Sequence, residues 1–148
     1  MNEISAFTSR PARISCSARE FFDFVTDVRN FSRFISPEVF PGLTAGKDSL
    51  SFQANMLGTV RLYISEKVPF SRVSYRGENS QVKDFILKTD ISEKEPGKAD
   101  VIITLEAGLN PVLKMLAAAP VKGFLDTLVH QMESFSGWTP SGAQNQPR

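Results

Sequence analysis

Residues 14–34 read ISCSAREFFDFVTDVRNFSRF and carry the start signals of two consecutive helices. Ser17 stands three residues before Glu20, the spacing of a capping box in which each side chain accepts a hydrogen bond from an unpaired backbone N–H. Asp27 offers a second N-cap, and Pro37 ends the segment because it disfavours helical geometry in the residue before it. One apolar stripe at helical spacing contains Phe21, Val25 and Val28. The stretch predicts a linked pair of short helices with a large apolar face.

From residue 49 onward, apolar residues alternate with polar ones, which predicts strands with one buried and one solvent-facing side. Segments with turn chemistry, such as residues 77–80 and 95–98, separate these runs, so consecutive strands are expected to be antiparallel neighbours. A first strand is expected over residues 3–13, where Pro11 indicates an edge or a bulge. The side chains expected to face inward are Leu50, Phe52, Met56, Val60, Leu62, Ile64, Val73, Tyr75, Phe85, Leu87, Thr89, Ile91, Val101, Ile103 and Leu105.

A long helix is predicted at the C-terminal end of the chain. Asn110 is its N-cap and Pro111 its first residue, and the helix is expected to continue to about Phe135 and to stop at Gly137. Pro120 cannot donate a backbone hydrogen bond, so a kink or a break is expected in the preceding turn. The helix should pack its apolar face against the sheet.

Length and composition indicate one globular domain, which we place at residues 1–138, followed by a flexible tail at residues 139–148 with little apolar content. The 17 Lys and Arg residues are scattered among 16 Asp and Glu residues, which argues against a nucleic-acid partner. The single cysteine, Cys16, cannot form an internal disulfide, so a cytoplasmic location is expected. No secretory signal or membrane-inserting segment is recognisable. The sequence does not indicate an oligomeric state.

Two stretches resemble the superfamily of START-like, polyketide cyclase and dehydrase, and birch-pollen-allergen-like proteins. Residues 14–34 are similar to the family's opening strand and helix, and residues 64–75, ISEKVPFSRVSY, are similar to a central hairpin with a Pro-containing turn. With the long terminal helix, the resemblance covers about residues 3–136. It implies an α+β helix-grip fold: a curved antiparallel sheet of six or seven strands wrapped around a long C-terminal helix, with two short helices after the first strand.

The same resemblance implies several functions. Members bind sterols, lipids, polyketides or plant hormones, some cyclise or dehydrate polyketides, and some related domains contact chaperones. Fold alone does not choose among these functions.

Few residues offer catalytic or metal chemistry. His130, the only histidine, is expected on the solvent side of the long helix, and Cys16 is expected to be a small, partly buried thiol. One His and one Cys do not supply the clustered ligands of a zinc site, so neither a metal nor another cofactor is expected. Arg29, Arg33, Arg61 and Arg76 could meet an acidic group at a cavity mouth, but solvated surface positions are favoured.

Of the inward set, only Tyr75 and Thr89 carry polar atoms, which favours binding of a hydrophobic small molecule over catalysis. The candidate ligand-binding residues are Phe34, Phe52, Met56, Leu62, Tyr75, Phe85, Leu87, Thr89, Ile103, Leu116, Pro120 and Phe124. A lipid-, sterol- or polyketide-like ligand between sheet and helix is the main hypothesis, and a core filled by Phe side chains competes with it.

Two alternatives belong to other classes. An enzyme similar to polyketide cyclases would use Tyr75 to polarise a carbonyl, and would need a carboxylate such as Asp84, Asp90 or Glu106 to face inward through a register slip. A protein-interaction module would show an exposed apolar patch on the sheet around Tyr63.

Overall fold

A computed structural model describes residues 3–36, 38–54, 58–80 and 84–138. Within these ranges, eight strands and three α-helices follow one another as β1 (Glu3–Thr8), β2 (Ala12–Ile14), α1 (Ala18–Val25), α2 (Phe31–Phe34), β3 (Thr44–Ala45), β4 (Ser49–Ala54), β5 (Gly58–Val68), β6 (Arg72–Asn79), β7 (Phe85–Glu95), β8 (Lys98–Leu109) and α3 (Pro111–Ser134). A 3₁₀ turn at Val28–Asn30 joins α1 to α2. The predicted α+β order is confirmed.

All described strand pairs are antiparallel, in the order β1-β8-β7-β6-β5-β4-β3, and β2 also pairs with β8. The sheet has eight strands where six or seven were expected. The expected first strand is divided at Ser9, Arg10 and Pro11 into β1 and β2, because the proline interrupts pairing. The two-residue β3 is too short for its sequence to show an alternating pattern.

The predicted caps of the helices are all present. Ser17 and Glu20 form both hydrogen bonds of the capping box at the start of α1. Asp27 accepts from the N–H of Arg29, and Asn110 accepts from the N–H of Leu113 at the start of α3. Each side chain satisfies a backbone donor that the first turn of a helix leaves unpaired.

α3 is one helix through Pro120, so the proline does not break it. It packs along β1, β2 and β8. Arg10 forms two hydrogen bonds to Glu133, at 2.8 and 2.9 Å, and the N–H of Arg13 also donates to this carboxylate, which ties the interrupted edge of the sheet to the end of α3. These three bonds to Arg10 and Arg13 lower the pKa of Glu133.

The inward side of the sheet forms the core with α1 and α3. The described members of the predicted inward set are buried, apart from Ile64, which is half-buried next to a β-bulge between Ile64 and Glu66. Met56 lies outside the described residues. At the end of the described chain, the buried Trp138 packs against Phe21 and Phe24. The predicted tail lies beyond the described residues.

Candidate functional site

A cavity of about 160 Å³ lies between α3 and the opposite wall of the core. On α3 it is lined by Ala119, Pro120, Gly123, Phe124 and Thr127. On the opposite side it is lined by Val39 and Phe40, which precede β3, and by Ala54 at the end of β4. It therefore lies between α3, the segment before β3 and the end of β4.

Phe40 and Phe124 form an aromatic wall of this cavity, and the ring of Phe52 packs against both of them. Phe124 stacks on Phe52 with ring centroids 6.0 Å apart, and Phe40 lies 4.5 Å from Phe52 and 5.6 Å from Phe124. The rings are buried. Offset arrangements at these distances are favourable between aromatic side chains, so the wall is preformed.

Small residues of α3 leave the space empty. Ala119 and Gly123 are one helical turn apart on the cavity side, and a Cβ atom added to Gly123 would meet no atom within 4 Å. Gly123 is also exposed to solvent. The rim of the cavity is therefore open at Gly123.

The side chains of the described lining are apolar apart from one. Thr127 is the one residue of the described lining with a side-chain polar atom. No buried side-chain nitrogen or oxygen of the described residues lacks a hydrogen-bond partner. The interior thus offers apolar contact surface and one hydroxyl, the composition of a site that binds without ionic recognition.

The structure divides the predicted ligand-binding residues into groups. Pro120 and Phe124 line the cavity, and Phe52 stacks on its aromatic wall. Leu116 is exposed at 66%. The side chain of Phe34 and the whole of Met56 lie outside the described residues. The residues that are buried in the core and are not part of the cavity lining are Leu62, Tyr75, Phe85, Leu87, Thr89 and Ile103.

The region around Tyr75 is packed. The Tyr75 hydroxyl donates to the carbonyl of Val25 at 3.2 Å, and its ring meets Phe31 edge-on at 5.6 Å. Complete burial raises the pKa of Tyr75. Next to it, the ring of Phe85 covers Gly77 so closely that a Cβ at Gly77 would lie 2.1 Å from the ring. We call this region, comprising Tyr75, Gly77 and Phe85, the filled region.

The carboxylates required by the enzyme alternative face outward. Asp90 pairs with Arg72 at 2.7 Å, and Glu106 pairs with Lys88 at 3.1 Å. Asp84 is exposed. The strand register predicted from the sequence is therefore the one observed, without the slip that catalysis by these groups would require.

The other candidates occupy ordinary structural positions. His130 is exposed on α3, as expected. Cys16 is buried, and burial raises the pKa of its thiol to about 12, so it is protonated and unreactive at neutral pH. The described residues contain no group of three metal-ligating side chains. The four candidate arginines are exposed.

The predicted interaction patch around Tyr63 is not apolar. The Tyr63 hydroxyl donates to Glu78 at 3.1 Å, and Arg61 lies 3.8 Å from the same carboxylate. The large exposed apolar side chains of the described chain lie elsewhere, mainly at the start of α3.

Besides a depression of about 300 Å³ beside β3 and β4, which includes Arg61, two still larger depressions lie at the surface of the described chain. One, of about 650 Å³, is at the β7–β8 turn and is lined partly by Arg13, Lys94 and Lys98. The other, of about 520 Å³, lies between β1 and α3 and includes Arg10 and Asp126. Charged side chains form part of both linings, whereas none of the described residues that line the cavity beside Phe124 is charged.

Sequence reasoning missed six of the lining residues: Val39, Phe40, Ala54, Ala119, Gly123 and Thr127. A usable signal was present in Ala119 and Gly123, two small residues at positions i and i+4 of a helix. Ala119 and Gly123 are exposed at the rim, and small side chains there leave volume that larger residues would fill.

Comparison with solved structures identifies the architecture. Norcoclaurine synthase from Thalictrum flavum superposes with a TM-score of 0.72 at 7% identity, covering 90% of this chain and 86% of that one. A START superfamily protein from Mycobacterium smegmatis gives 0.59 at 13% identity, with 88% and 97% covered. The Aha1 dimer from Colwellia psychrerythraea gives 0.58 at 10% identity, with 95% and 99% covered.

No protein-family model matches the sequence. No curated protein matches it either. Identities this low show the shared fold alone. The chain therefore has the helix-grip fold of START-like and birch-pollen-allergen-like proteins.

Proposed function

We propose that the protein binds a small hydrophobic molecule in the cavity that α3 forms with Val39, Phe40 and Ala54. The observation that carries the proposal is a lining whose described side chains are apolar apart from the hydroxyl of Thr127, beside an open rim at Gly123. Such a lining favours a ligand that is mostly apolar and carries one hydrogen-bonding group.

The volume narrows the class of ligand. A cavity of about 150 Å³ holds a molecule the size of benzene, whereas sites for drug-sized ligands measure about 300–1,000 Å³. At about 160 Å³ the cavity accepts one aromatic ring or the end of an acyl chain. A whole sterol exceeds that space, so of the lipid-, sterol- and polyketide-like ligands considered from the sequence the lipid-like class is favoured, and the volume adds single-ring molecules to it.

One structural neighbour is consistent with a ring-sized ligand. Norcoclaurine synthase, which shares the fold at 8% identity, has been solved in complex with dopamine and hydroxybenzaldehyde, two single-ring molecules. The similarity concerns the fold alone, and we use it only as support for the size of the ligand. Catalysis is not part of the proposal, because the Tyr75 hydroxyl is already bonded to the Val25 carbonyl.

The lone, buried Cys16 is compatible with the cytoplasmic location that we propose for this carrier. No helix in the described ranges is long and apolar enough to cross a membrane.

Two measurements test the proposal. Native mass spectrometry of purified protein, followed by solvent extraction, detects any molecule retained from the cell. Titration with hydroxybenzaldehyde and with indole, followed by amide chemical shifts, measures binding of ring-sized probes and shows whether Ala54, Gly123 and Thr127 respond.

Variants at Gly123 locate the binding. Gly123→Phe places a ring in the open rim and should weaken probe binding about tenfold or more. Gly123→Ala is the matched control, because it also replaces the glycine with a residue that has a Cβ atom, but its methyl group is too short to fill the rim. Equal binding by wild type and Gly123→Phe, or shifts confined to residues away from the cavity, would contradict the proposal.

A further inference from the structure

The one hydroxyl in the described lining of the cavity, that of Thr127, has no partner within the described chain. Thr127 is half-buried, and the other described side chains of the lining are apolar. Its hydroxyl forms no hydrogen bond with another described residue. A threonine inside a helix commonly donates to the carbonyl four residues back, which here belongs to Gly123, but Thr127 does not. The hydroxyl is therefore free to bond a molecule in the cavity.

Helix geometry places the Thr127 side chain next to the open rim. Thr127 follows Gly123 by four residues, so the two positions lie one above the other on α3, with about 5–6 Å between their Cβ positions. The Cα–Cβ bonds of a helix tilt towards its N-terminus, which directs the Thr127 side chain over the turn that contains Gly123. A Cβ added to Gly123 would meet no atom within 4 Å. A ligand atom above Gly123 therefore finds empty space and lies beside Thr127.

The aromatic wall lies on the same part of α3. Phe124 precedes Thr127 by three residues, so the two side chains are neighbours on the helix surface. The ring of Phe40 lies 5.6 Å from the ring of Phe124, and both residues line the cavity. An aromatic ligand that packs on Phe40 and Phe124 therefore has one edge next to Thr127.

The backbone N–H groups around the cavity are already hydrogen-bonded. Those of Val39 and Phe40 both donate to the carbonyl of Ser36, at 3.0 and 3.1 Å. Inside a helix such as α3 each N–H donates to the carbonyl four residues back, and Pro120 has no N–H. These walls leave the Thr127 hydroxyl as the group that can donate a hydrogen bond to a ligand.

From these observations we propose that Thr127 determines which molecules the cavity selects. This role rests on the proposed function, to which it adds the recognition of the ligand's polar group. The ligand packs an aromatic ring on Phe40 and Phe124 and places one hydroxyl or carbonyl group on the Thr127 hydroxyl at the rim. The preferred class is therefore single-ring molecules with one such group, phenols and aryl aldehydes among them, over hydrocarbons of the same size.

The preference follows from the cost of covering a hydroxyl without a partner. Binding of a ring at the rim removes water from Thr127, and a phenol replaces the lost hydrogen bond. Toluene has a methyl group where phenol has the hydroxyl, so it covers Thr127 without replacing that bond. A site that hydrogen-bonds a ligand hydroxyl discriminates in this way against the analogue that lacks it.

Binding of phenol and of toluene to Thr127→Val tests the proposal. Valine has nearly the shape of threonine without the hydroxyl, and the replaced group makes no bond within the described chain, so the variant is expected to fold. Calorimetric titration of the full chain measures the Kd of each probe. Thr127→Val should bind phenol about fivefold more weakly than the wild type, and toluene at least as tightly. Thr127→Ser keeps the hydroxyl and should keep the wild-type ratio of the two Kd values.

Thr104→Val is the matched control, because it makes the same substitution on β8, outside the described lining of the cavity. It should bind both probes like the wild type. Unchanged phenol binding by Thr127→Val, equal losses of phenol and toluene binding, or a Thr127→Ser variant that behaves like Thr127→Val would overturn the role of Thr127 and leave the cavity as the binding site. Failure of both probes to bind the wild type would overturn this role together with the proposed function.

Discussion

Phe85 and Phe124 are the same residue type and are equally buried, with 5% of each exposed, yet they have different surroundings. Phe85 covers Gly77 in the filled region, where even a methyl group has no room. Phe124 contacts Phe40 and Phe52 on one side and borders the cavity on the other. The exposed fraction of a side chain therefore does not reveal whether its neighbour is an atom or an empty space.

This difference separates a filled region from a region with empty volume within one core. Both phenylalanines were candidate ligand-binding residues, since both face inward. In the filled region the hydrogen bond from Tyr75 to Val25 and the Phe85–Gly77 contact use the available volume. In contrast, the region around Phe124 has empty volume that a small ligand could occupy. Matched substitutions in the two regions should therefore change the free energy of unfolding by unequal amounts, or even in opposite directions.

Truncation of the two phenylalanines should give the largest effects. We expect Phe85→Ala to lower the free energy of unfolding by about 4 kcal/mol and Phe124→Ala by about 3 kcal/mol, since Phe124 loses fewer neighbours. Urea unfolding of both variants measures the difference. A larger loss for Phe124→Ala would mean that its surroundings are as fully packed as those of Phe85.

Gly77→Ala should lower the free energy of unfolding by about 2 kcal/mol, because the new Cβ overlaps the ring of Phe85. The check is a double-mutant cycle with Phe85→Ala, measured by urea unfolding. Removal of the ring should remove most of the cost of the added methyl group. Strictly additive effects would show that the strain arises from the backbone and not from this contact.

Tyr75→Phe should lower the free energy of unfolding by about 1–2 kcal/mol, because it leaves the buried Val25 carbonyl without the hydroxyl donor. Thermal and urea unfolding measure the change. Binding of ring-sized probes should remain at the wild-type level. A loss of probe binding without a loss of stability would instead place Tyr75 in the ligand site.

Gly123→Ala should change the free energy of unfolding least, and should raise it where the other substitutions lower it. Alanine favours the helix by up to about 1 kcal/mol over glycine, and its Cβ meets nothing within 4 Å here. An increase in the urea midpoint is expected, in contrast to Gly77→Ala. A decrease would mean that the space beside Gly123 is closed in solution.

Local signals predicted much of the fold from the sequence. The Ser17–Glu20 capping box, the Asp27 and Asn110 caps and the inward side of the strands are confirmed because each depends on residues close in the chain. The sequence did not predict the division of the first strand or the two-residue β3. Both are defined by pairing with other strands, which a local pattern does not show.

The candidate site was predicted only in part. Phe52, Pro120 and Phe124 were identified because they are large or conformationally restricted residues on inward-facing surfaces. Ala119 and Gly123 were overlooked because their contribution is the volume that they leave empty, which no hydrophobic pattern records. The exposure of Leu116 was also unexpected, since its helical spacing does not show where the core ends.

The sequence by itself determined the order of elements, the helix ends and the side of each strand that faces the core. Periodicity and capping are properties of adjacent residues, so they can be recognised without knowledge of the fold. Only the tertiary structure decided that one region is filled, that another holds a cavity and that the start of α3 is exposed. These features depend on distances between elements far apart in the chain, and the packing of the whole domain sets those distances.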